Sequence, residues 1–101
     1  MIVSNTGPLA VLAKAQLLYI LKELHEKILV PRAVEGELKA KTEGVIMFNA
    51  NPWIKFANVR NKELIKVLML SVAHGEAEAI ALALYENKPL LIDDLIGRRV
   101  A

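Results

Sequence analysis

The sequence contains no cysteine, which excludes disulfides and thiolate metal centres together. Its two histidines, His25 and His74, are too few and too scattered for a zinc cluster. Any metal held by this chain must therefore take oxygen ligands. No apolar run reaches the roughly 18 residues that a membrane-spanning helix needs, because Lys, Glu, Asn or Pro interrupts each one. Met1 leads straight into Ile2 and Val3, without a basic stretch, an apolar core and a small-residue cleavage site. No membrane association and no secretion is expected, and the expected location is the cytoplasm. Aromatic residues are scarce: Trp53 is the only tryptophan and Phe56 one of two phenylalanines, which favours a core role for both over base stacking.

What remains is rich in apolar material. With 54% hydrophobic and 24% charged residues in a chain of 101, there is enough for one core but not two, so a single domain over residues 1–101 is expected. A net charge of +2 is mildly basic, compatible with a nucleic-acid partner without requiring one.

Met1 to Val3 read as a short buried strand, which hands over to a helix at Asn5-Thr6-Gly7-Pro8, residues suited to capping and to a helix's first turn. From Leu9 to Leu24 the leucines, Ala13 and Ile20 recur at helical spacing, as one short helix and a second beginning near Ala15. Lys27 to Val30 form a β-prone run ended by Pro31, which opens a helix through about Lys41 with Val34 and Leu38 on one face. Gly44 to Asn51 is too short a run for periodicity to settle, and stays open. Trp53 to Val59 alternates as a strand, and Glu63 to about Leu70 reads as a helix. A further helix starts at Gly75 and runs through strong helix formers to Leu84, until Asn87-Lys88-Pro89 stops it. Leu90 to Ile92 is apolar on both faces, as in a parallel strand covered by helices. The alternation predicts an α/β fold, a parallel sheet with helices on its faces.

In such a sheet ligand sites form beyond the carboxyl ends of the strands. Asn5, Glu37 and the pair Asp93-Asp94 lie there by construction, and Glu76 and Glu78 sit at a helix start that a loop can bring to the same edge. Carboxylates converging on one edge repel one another unless a cation neutralises them, and hard oxygen ligands suit Mg²⁺ or Mn²⁺. Phosphoester hydrolysis is the natural reaction class for such a site.

Four stretches then resemble one family in its own order. Ser4-Asn5-Thr6-Gly7-Pro8-Leu9 resembles the opening of PIN domains, and Val30-Pro31-Arg32-Ala33-Val34-Glu35-Gly36-Glu37-Leu38 is similar to their second motif, whose last glutamate is a metal ligand. Gly75 to Ala83 and Leu91 to Ala101 resemble a branch related to the VapC-like toxins of toxin–antitoxin pairs. The resemblance implies a three-layer α/β/α sandwich with a central parallel sheet, short of the family's last strand and helix. It implies a ribonuclease acting on single-stranded RNA, with Asn5, Glu37, Glu76, Asp93 and Asp94 as metal ligands, the four acids also being catalytic. Thr6, Arg98 and Arg99 become candidate substrate contacts, and an antitoxin protein a candidate partner. The family's first ligand is usually aspartate; Asn5 offers a carbonyl oxygen without charge, and metal affinity is expected to fall. Relatives continue past the Gly97-Arg98-Arg99-Val100-Ala101 motif, so an uncovered sheet edge and apolar face are expected, and with them a homodimer or higher oligomer.

Each of these residues also has a plain structural reading. Asn5 and Thr6 suit helix capping, Glu76 and Glu78 complement a helix dipole, and Glu37 suits a solvated salt bridge beside Glu35 and Lys39. One of Asp93 and Asp94 suits the cap of a following helix, and Arg98 and Arg99 suit surface ion pairs. A catalytically weak binding or oligomerisation module is the alternative function.

Overall fold

The computed structural model describes residues 1–42 and 50–91. Four short strands form its sheet: β1 (Ile2–Ser4), β2 (Ile28–Pro31), β3 (Ile54–Ala57) and β4 (Leu90–Leu91). All neighbours run parallel, in the order β3-β2-β1-β4, with Ile2 beside Ile28, Ile28 beside Ile54 and Val3 beside Leu90. Between β1 and β2 lie α1 (Thr6–Lys14) and α2 (Leu18–His25). A 3₁₀ turn (Arg32–Val34) and α3 (Glu35–Thr42) follow β2, and α4 (Lys62–Leu68) and α5 (His74–Glu86) link β3 to β4.

Strand alternation sorts the core into two layers. Ile2, Ile28, Val30 and Ile54 face one side of the sheet, where they pack with Leu9, Ala13, Leu21, Val34 and Leu38 from α1, α2, the 3₁₀ turn and α3. Val3, Leu29, Ala57 and Leu90 face the other side, against Ala79, Leu82 and Ala83 of α5. Helices thus cover both faces, as expected for strands whose residues are apolar on both. Trp53 is buried in the first layer and Phe56 packs against it, the core role expected of both.

Helix α5 is buried continuously from Ala77 to Ala83. Four alanines in that stretch let the helix lie close to the sheet, while Ala77 and Ala81 also take Ile65 of α4. Asn87 ends it in the left-handed region at φ 54°, and the Lys88 N–H returns to the Ala83 carbonyl at 3.1 Å. Helix α1 ends in the same way, except that Gln16 occupies the left-handed position at φ 61°.

Several boundaries differ from the sequence reading by a residue or two. Pro31 closes β2 instead of opening a helix directly, because the 3₁₀ turn intervenes before α3. Residues 44–49 of the open segment, and Ile92 of the last strand, lie outside the described residues. Among the described residues no helix is long and apolar enough to cross a membrane.

Candidate metal centre

The sheet order fixes where a site can form. From β1 the chain moves through β2 to β3 in one direction, then crosses back to place β4 on the other flank of β1. Adjacent carboxyl ends at such a reversal have their following segments on opposite faces, which leaves a crevice. Asn5 leaves β1 at this point, and its N–H donates to the Leu91 carbonyl at 3.3 Å across to β4.

Asn5 is 97% buried, and its side chain does not cap α1 although the residue occupies the capping position. Its Oδ1 is buried without a hydrogen-bond partner. An orphaned amide oxygen costs about 1–3 kcal/mol, a cost that fold stability alone gives no reason to keep. The capping alternative for this side chain is thereby corrected: the extended backbone at Asn5, ψ −174°, goes with a side chain that makes no bond to the helix's free N–H groups.

The next residue connects to α3. Thr6 Oγ1 donates to Glu37 Oε1 at 3.1 Å, and Lys41 Nζ lies 2.9 Å from the same carboxylate oxygen and 3.3 Å from Thr6 Oγ1. The Lys41 ammonium is first among the causes that hold the Glu37 carboxyl below its ordinary range; partial burial opposes it, and the Thr6 hydroxyl lowers it further. The salt-bridge partner of Glu37 is therefore Lys41, one helical turn on. Lys39 instead pairs with Glu35 at 2.8 Å, joined by Arg32 at 3.3 Å. The i,i+4 spacing of Glu37 and Lys41 was the sequence signal for this pair, and the Thr6 contact, 31 residues distant in the chain, had none.

The start of α5 reaches the same edge because the 3₁₀ turn packs on it. A Cβ built on Gly75 would stand 3.0 Å from Val34 Cγ1 and 3.6 Å from Glu37 Oε2. The missing side chain is what lets α5 lie against Val34 of the 3₁₀ turn, with Glu37 in ordinary contact range. Glu76, next to Gly75, is half-buried and has no ion-pair partner among the described residues. Glu78 is different: it lies within the buried stretch of α5, and its Oε1 is 3.1 Å from Nε2 of His74. That contact gives the two residues a partner in each other.

The structure thus brings together Asn5, Thr6, Glu37 and the N-terminus of α5. Asp93, Asp94, Arg98 and Arg99 lie outside the described residues. Among the described residues no three His, Cys, Asp or Glu side chains stand close enough to hold a metal. The groups present are nevertheless of the right kind: an unpartnered amide oxygen, a hydroxyl and carboxylates are hard donors that suit a divalent cation such as Mg²⁺ or Mn²⁺. Lys41 adds one positive charge to the set, which lessens its demand for a cation.

A family model described as a PIN domain matches residues 1–101. Neither curated proteins nor solved structures gave a match. A parallel sheet covered on both faces, with Asn5 and Glu37 at its carboxyl edge, agrees with that match over the full length, and the chain belongs to the PIN domain family.

Proposed function

We propose that this chain is a metal-dependent ribonuclease that hydrolyses phosphodiester bonds in single-stranded RNA. The observation that carries the reading is the buried, unpartnered Oδ1 of Asn5 at the carboxyl end of β1. An oxygen in that position has a physical reason to be there if it faces a cation. Asn5, Glu37 and Glu76 would hold Mg²⁺ or Mn²⁺ together with Asp93 and Asp94, residues that the family resemblance assigns to the same edge. The ion supplies Lewis-acid activation of a water and charge neutralisation at the scissile phosphate. Thr6 fixes the Glu37 carboxylate through Oε1, and Arg98 and Arg99 are the expected phosphate contacts. The reading goes with a cytoplasmic location, with an antitoxin protein as a partner that restrains the nuclease, and with a homodimer or larger assembly.

A second reading has its own observation. The ammonium of Lys41 already compensates Glu37, and Asn5 brings no charge, so the described part of the site carries less negative charge than a strong metal centre needs. On this reading the protein is a weak or inactive PIN-like module that binds its partner without cutting.

Calorimetric titration with Mn²⁺ separates the two. The native chain is expected to bind weakly, Asn5→Asp to bind at least tenfold more tightly, and an Asp93→Ala, Asp94→Ala double variant not to bind, at matched circular dichroism. Metal-dependent cutting of an unstructured RNA by the native chain supports the nuclease. Cutting by Asn5→Asp alone supports the weakened module, and absence of Mn²⁺ binding in every form sinks the metal site.

A further inference from the structure

A second concavity lies beside the carboxyl end of the edge strand β3, two strands from Asn5. The loop from Asn58 to Asn61 leaves β3 and crosses α5 before α4 begins, and together with Ala81, Leu82 and Tyr85 it encloses a pocket of about 190 Å³. This is below the roughly 300–1,000 Å³ of pockets for drug-sized ligands. Its size suits one small planar group.

The lining has two kinds of surface. Val59, which packs into both apolar clusters around α5, forms the floor with Ala81 and Leu82 and keeps the loop in place. Around the rim stand Tyr85, 80% exposed, the exposed amide of Asn58 and the exposed guanidinium of Arg60. Arg60 has no ion pair among the described residues. Asn61, also in the lining, accepts from the Leu64 N–H at 3.0 Å through Oδ1, which ties the loop to the start of α4. An aromatic face, an amide edge and an uncommitted guanidinium over an apolar floor match the three parts of an unpaired nucleotide: its π-surface, its hydrogen-bonding edge and its phosphate. Tyr85 keeps most of its surface open to a ligand.

We propose that this pocket binds a single unpaired nucleobase, with Tyr85 as its stacking partner, Asn58 at its polar edge and Arg60 on the adjoining phosphate. Tyr85 lies nine residues along α5 from Glu76, about 14 Å at helical rise, within the span of a short single strand whose scissile phosphate sits at the carboxyl edge. The identity of that strand as RNA rests on the nuclease reading above. The chemistry of the pocket does not.

Amide chemical shifts of the full chain, followed while AMP is added without metal, test the assignment. Saturable shifts centred on residues 58–61 and 81–85 are expected. Tyr85→Ala is expected to weaken AMP at least about fivefold, in line with base–aromatic stacking, while Tyr85→Phe retains it. Arg60→Gln is expected to bring AMP down to the affinity of adenosine. The same shifts from inorganic phosphate alone, or no shifts at these residues, overturn the proposal. Mn²⁺ titration of the same sample distinguishes the two readings: binding of AMP without Mn²⁺ keeps the pocket and sinks the nuclease, and Mn²⁺ without AMP does the reverse.

Discussion

Two donors converge on one oxygen of Glu37, and the other oxygen faces Gly75, so a single carboxylate links the first motif to α3 and α5. On the nuclease reading, Lys41 and a divalent cation would compete for this charge. Replacing Lys41 by Met is expected to raise Mn²⁺ affinity up to about fivefold, the scale of the up to ~1 kcal/mol that a half-exposed ion pair contributes; calorimetry against the native chain measures it, and a fall in affinity would show that Lys41 positions Glu37 instead. Gly75 makes a steric prediction. An alanine there would press on Val34 Cγ1 at 3.0 Å, and Val34 is 97% buried and stiff at χ1. Overpacking costs about 1–3 kcal/mol against roughly 0.5–1 kcal/mol gained by replacing glycine in a helix. Gly75→Ala should lose about 1 kcal/mol in urea denaturation, and an increase in stability would mean that the turn yields.

At the level of elements, the helices carry most of what periodicity could reveal. Val34 and Leu38 are buried as their spacing implied, and Leu9, Ala13 and Leu21 form the α1–α2 face. The corner between α1 and α2 was less legible, because it holds Gln16 at φ 61° where glycine or asparagine would have marked it. A left-handed conformation costs a side-chain-bearing residue roughly 1–2 kcal/mol, part of which glycine returns through its freer unfolded chain. Gln16→Gly is therefore expected to stabilise the protein by about 0.5–1 kcal/mol, read as a higher thermal midpoint; an unchanged or lower midpoint would show that the exposed Gln16 side chain makes a contribution of its own. Helix α5 had the clearest composition, yet its central place was hidden. Burial of every residue from Ala77 to Ala83 follows from packing against the sheet and α4, which no amphipathic pattern along α5 announces.

The whole molecule presents apolar surface that its own core does not use. Val67, Met69 and Leu70, on α4 and the turn after it, are 63%, 47% and 86% exposed. Apolar side chains exposed so near one another in the chain suit cover by another copy. Sedimentation is expected to give a mass above the 11.2 kDa of one chain, with Leu70→Lys shifting it toward the monomer; a native monomer at tens of micromolar would remove the oligomer from the reading. The sequence by itself determined the alternation of strands and helices, the parallel sheet, the core place of Trp53 and Phe56, the exclusion of thiolate ligands and the family, since each depends on local composition, on short-range periodicity or on motifs in order. Only the tertiary structure decided that β4 lies beside β1, that Thr6 and Lys41 meet on Glu37, that the Asn5 amide oxygen is buried without a donor, and that Tyr85 shares a pocket with Arg60. Apart from the Glu37–Lys41 pair, which one helical turn allows, these juxtapositions join residues far apart in the chain or depend on what surrounds a side chain. Long-range packing fixes them, and no spacing in the sequence records it.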